Sequence, residues 1–85
     1  MKASEKKIKE SFKILGATIT FERKKKKLTL EQLGLDIGLD KSAMHHIENG
    51  KPITVTTLIK IAAVLNIKPS QLVKTLPILT NQDID

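Results

Sequence analysis

The stretch LTLEQLGLDIGLDKSAMHHIENGK, residues 28–51, constrains this chain more than any other segment. Thr29-Leu30-Glu31-Gln32 is the pattern of a helix start in which a threonine and a glutamine three residues later satisfy each other's backbone amides. Leu33 and Ile37 follow at the four-residue step of one buried helix face. Gly38 then marks the stop, because glycine takes up left-handed backbone angles without a steric penalty. Asp40 is a good cap for a further helix over residues 41–48, and Asn49-Gly50 closes it. Two helices this short cannot be stable alone, so the remainder of the chain must supply the surface that buries them.

That surface is helical too. Ile8, Phe12, Leu15 and Ile19 recur at steps of four, three and four, the face of a first helix expected to start near Ser4 or Ser11 and run to Lys26. The cations from Arg23 to Lys27 lie where the helix dipole is negative. Thr54 can cap a fourth helix whose Val55, Leu58, Ile59, Ala62 and Leu65 form a wide apolar stripe, with Asn66 ending it. Pro69 suits the first turn of a fifth helix carrying Leu72, Val73 and Leu76, and Pro77 stops it. The polar TNQDID at 80–85 is expected to fray. Ile53-Thr54-Val55-Thr56 has β-branched character but no partner strand, so the expectation is an all-α fold of five short helices. With no repeat and no interdomain linker, residues 1–85 form a single domain.

Eighty-five residues bury only about 60% of their unfolded surface, so the core is small. Absence of cysteine excludes disulfides and thiolate zinc sites as supplements to it. The net charge of +6 is unevenly placed: residues 1–27 hold ten Lys or Arg against three Glu, whereas residues 28–85 hold five against six acids. A basic half on a small domain suggests a polyanionic partner. The opening MKASEKKIKESF has no apolar run behind it and is not a signal peptide. No stretch approaches the roughly 18 apolar residues of a membrane span, so no membrane association is expected and a cytoplasmic location is. Phosphate-binding glycine loops, nucleophile–base sets and clustered carboxylates are all missing, so the chain is not expected to be an enzyme. His45 and His46, adjacent on a helix, point about 100° apart and have no third ligand, so neither metal nor other cofactor is expected.

Placed on a helix at about 100° per residue, Lys41, Ser42, His45 and His46 fall within one arc of about 140°. Ala43, Met44 and Ile47 take the opposite side. A rod with one apolar flank and one donor-rich flank suits the DNA major groove, which is about 12 Å wide. Lysine can donate to guanine O6 and N7, and serine and histidine can give or accept at base edges.

The sequence LTLEQLGLDIGLDKSAMHHIENGK followed by TLIKIAAVLNIKPSQL resembles the XRE, or lambda-repressor/Cro-like, helix-turn-helix family over residues 12–73. The helix-turn-helix itself would occupy 29–49, with 74–85 as a C-terminal extension. Gly38 matches the turn glycine, Met44 the buried aliphatic of the recognition helix, and Glu48 and Gly50 the Glu-x-Gly ending. By the same match Lys41, Ser42 and His46, with His45 beside them, stand where base edges are touched. Thr29, Asn49 and Lys51 match positions that hold phosphates, and Arg23 matches a first-helix arginine that pairs with the residue at Glu48. Three features depart from the pattern. Leu30 replaces a phosphate-holding glutamine, Gly34 replaces an alanine at roughly 0.5–1 kcal/mol of helix stability, and the loop at Lys51-Pro52-Ile53 is about one residue short.

The resemblance implies sequence-specific binding of double-stranded DNA by a small transcriptional repressor or regulator. A single unit offers few base contacts, so a homodimer on a palindromic operator is expected, with Leu76, Ile78, Leu79 and Ile84 as its candidate surface. No small-molecule effector domain is evident. Two alternatives use the same fold differently: an antitoxin that also grips a toxin, and a module that binds protein rather than DNA.

Overall fold

The computed structural model describes residues 3–84 and contains five helices in that span: α1 (Ala3–Lys25), α2 (Leu30–Leu35), α3 (Lys41–Glu48), α4 (Val55–Leu65) and α5 (Pro69–Val73). Helix α1 sets the scale. Its 23 residues, at about 1.5 Å each, make a rod of about 35 Å in a molecule whose longest extent is 40 Å. Helices α3, α4 and α5 pack along it, and α2 packs on α3.

Each boundary has a local chemical cause. Thr29 caps α2 with its hydroxyl oxygen accepting from the Gln32 amide, while Gln32 Oε1 accepts from the Thr29 amide. Asp40 caps α3 and Thr54 caps α4, through bonds from the Ala43 and Thr57 amides. Pro69 sits in the first turn of α5, where a missing N–H costs nothing. Asn66 ends α4 in the left-handed region at φ 56°, and Gly38 does so after α2 at φ 77°.

The core is aliphatic: Leu15, Ile19, Leu33, Met44, Ile47, Ile61, Ala62, Leu65 and Leu72 are buried. Four expectations from the periodicity require correction. Ile8 is 46% exposed, because the core meets α1 only from Phe12 onward. Helix α2 stops at Leu35, so Ile37 lies in the following turn, half-buried. On α4 the inward stripe is the half-buried Leu58 with the buried Ile61, Ala62 and Leu65, at the spacing of a single helix face, which leaves Val55 and Ile59 exposed. Leu76 falls beyond the end of α5 yet still packs on the core.

The tail requires a fifth correction, the one with the largest physical consequence. Asp83 is nearly buried and both its carboxylate oxygens lie 2.9 Å from Lys7 Nζ. The Thr80 amide and hydroxyl also donate to Asp83 Oδ2, at 2.8 and 3.1 Å. Residues 80–83 are therefore tied to α1 rather than frayed; Asp85 lies outside the described residues.

Two glycines allow backbones to touch. A Cβ at Gly16 of α1 would lie 2.5 Å from the Glu48 carbonyl oxygen and 2.7 Å from that of Ile47. The C-terminal end of α3 thus rests directly on the middle of α1. A Cβ at Gly34 would run into the Leu39 carbonyl and come within 2.9 Å of Met44 Cγ. Gly34 is therefore a point of close approach between α2 and the turn into α3, a gain that offsets the poor helix propensity noted in the sequence.

Candidate nucleic-acid interface

Eight residues, KSAMHHIE, form α3. Met44 and Ile47 turn inward and are buried, and Ala43 is half-buried. Lys41, Ser42, His45 and His46 are all exposed. The two imidazoles stand edge to face with centroids 5.7 Å apart. A rigid rod therefore presents a lysine, a hydroxyl and two ring systems on one side, fixed by packing on the other.

The C-terminal end of this rod is held by two devices. Arg23 Nε donates to Glu48 Oε2 at 2.7 Å and its Nη2 to Glu48 Oε1 at 3.0 Å, a two-pronged contact with both side chains largely buried. The third arm, Nη1, donates to the Leu28 carbonyl at 2.8 Å. Thr20 adds its hydroxyl, 2.7 Å from Glu48 Oε1. One cluster thus joins α1, the turn after it and the end of α3. The Thr20 contribution was not legible in the sequence, where threonine on a helix has no distinctive spacing.

Asn49 is the second device. Its side-chain amide donates to the His45 carbonyl at 2.8 Å, and its backbone amide points to the His45 and His46 carbonyls. Asn49 thus spends one amide hydrogen on closing α3 and stays exposed. Lys51 is exposed just beyond, with its own amide bonded to the His46 carbonyl at 2.9 Å. Thr29 uses its oxygen as acceptor for the α2 cap, and its O–H remains free to donate outward. Leu30 is half-buried against the core, so that position serves packing.

Near the start of α3 a shallow groove is lined by Arg23, Lys27, Leu28, Thr29, Leu30, Glu31 and Lys41. It brings the basic end of α1 and the first residue of α3 to one place. Thr29 belongs to it; Asn49 and Lys51 flank the opposite end of α3. Among the described residues no cluster of three or more His, Cys, Asp or Glu is placed to hold a metal ion, and no helix is long and apolar enough to cross a membrane. Every buried side-chain nitrogen and oxygen among them has a hydrogen-bond partner.

A family model described as helix-turn-helix matches residues 21–72, the span from the last turn of α1 into α5. No curated protein and no solved structure matches the chain.

Proposed function

The chain belongs to the XRE/lambda-repressor-like helix-turn-helix family, a family of DNA-binding regulators, and from that premise we propose that it is a sequence-specific repressor acting through α3 in the major groove. The observation that carries this reading is the division of α3 into a sealed flank, Met44 and Ile47, and an open one, Lys41, Ser42, His45 and His46. Lys41 stands at the first turn, where a recognition helix enters deepest, and is suited to guanine O6 and N7. His46 and His45 lie one turn later, within reach of the next base pairs. Thr29 at one end of the site and Asn49 and Lys51 at the other hold phosphates and fix the depth and tilt of the rod. Bound this way, the protein represses by occupying its operator.

Two copies bind together. Single-unit affinity does not suffice against the many competing sites of a genome, and two-fold pairing spaces two recognition helices about one DNA turn apart. Ile78 and Ile84 are exposed apolar side chains and Leu76 and Leu79 are half-buried, which supports these four as the residues of that pairing.

Selection of bound duplexes from a random pool tests the reading. Wild type should enrich a palindromic sequence, and Lys41→Ala and His46→Ala should each lose preference at one or two positions, by roughly 1–3 kcal/mol. Enrichment of no sequence, or variants that select the same one as wild type, would reject it.

A further inference from the structure

Only two non-glycine residues among those described adopt positive φ, Lys27 at 58° and Asn66 at 56°. Asparagine tolerates that region because its short amide bonds locally; a lysine has no such compensation, and its Cβ crowds the following carbonyl. The turn nevertheless holds Lys27 there. Its amide donates to the Lys24 carbonyl at 3.0 Å and the Leu28 amide to the Arg23 carbonyl at 3.2 Å, the double closure of a left-handed helix end. The Arg23 guanidinium then fixes the Leu28 carbonyl from the other side at 2.8 Å. Strain of this kind persists where surroundings over-determine it, and clusters at ligand clamps.

The strained residue is exposed and lines the groove that ends at Lys41. Arg23 in that groove is already neutralised by Glu48. Among the described residues neither Lys27 nor Lys41 makes an ion pair, and together they outweigh Glu31, the one carboxylate there. The neighbouring Lys25 is engaged elsewhere, 5.3 Å from the Phe21 ring centroid and 3.6 Å from Glu22.

We propose that Lys27 is a phosphate-gripping residue, aimed by its left-handed turn at the DNA strand that passes the N-terminal end of α3. The proposal rests on α3 lying in the major groove and adds to it a contact made by the end of α1. It explains why a lysine stands where glycine would be less strained: the side chain gives a backbone contact that glycine lacks.

Lys27→Gly and Lys27→Asn test it, because both relieve the strain and remove the charge. Each should melt at or above the wild-type temperature. Each should bind a mixed-sequence duplex about five- to tenfold more weakly near 0.1 M salt, with a log–log salt slope shallower by about 0.9. Lys74→Gln, in the separate groove between α1 and α5, should change affinity by about twofold or less. Wild-type affinity and slope in both Lys27 variants would overturn the assignment while leaving the major-groove reading intact, and so would a lowered melting temperature in both. Failure of wild type to bind any duplex in a salt-dependent manner would overturn both.

Discussion

Arg23 and Glu48 show how one ion pair can matter more than a surface full of charges. Their side chains are 11% and 6% exposed, and each of the three guanidinium nitrogens donates a hydrogen bond. An exposed pair contributes about 0–1 kcal/mol at most, whereas breaking a buried one strands its partner. Glu48→Ala should therefore destabilise by about 3 kcal/mol, lowering Tm by roughly ten degrees or more in a chain this size. Arg23→Ala should do nearly the same, and the double variant should lose much less than the sum. Calorimetric midpoints within a degree or two of wild type would show that the pair is ornamental. Lys25 and Glu22, 3.6 Å apart with the lysine more than half exposed, provide the internal contrast: their loss should be near silent.

At the level of helices, α3 is positioned less by its own eight residues than by what α1 offers it. Gly16 brings the α3 carboxyl end onto the α1 backbone, and no side chain can be inserted there without displacing the Ile47 and Glu48 carbonyls. Helix propensity alone predicts that Gly16→Ala stabilises by about 1 kcal/mol; the contact predicts a net loss of about 1–3 kcal/mol and weaker DNA binding. Thermal melts decide the sign. The sequence made the caps at Thr29, Asp40 and Thr54 and the Gly38 turn legible, because capping is chemistry between near neighbours. It also separated the inner and outer faces of α3, since a regular helix places side chains by geometry alone. Gly16 was invisible, being one glycine in a long helix whose meaning comes from a residue 32 positions away. The α4 stripe was drawn too broad, because Val55 and Ile59 are as apolar as the residues that are buried. Which apolar residues face the core depends on where the neighbouring helices end. Lys27 lay within a visible charge run, but nothing in that run signals a left-handed backbone.

Across the whole molecule, Lys7 and Asp83 join the first helix to the last described turn across 76 positions of sequence. The Thr80 amide foremost, then the Lys7 ammonium, hold the Asp83 carboxyl below its ordinary range. A carboxyl depressed in the folded state stabilises it above the unfolded-chain value, and that contribution disappears as pH falls through the folded-state value. Asp83→Asn should therefore melt below wild type at neutral pH, with the gap closing in strong acid; a gap constant with pH would rule out the charge as its source. The tie also governs which parts of the polypeptide open together. Local opening follows contacts rather than sequence order, so releasing the tail should loosen the first turns of α1 as one cooperative unit. Hydrogen–deuterium exchange on Asp83→Asn should then accelerate at amides near Lys7 and Ile8 as well as Thr80, while Met44 and Ile61 keep their protection. Acceleration confined to the tail would show two independently fraying ends.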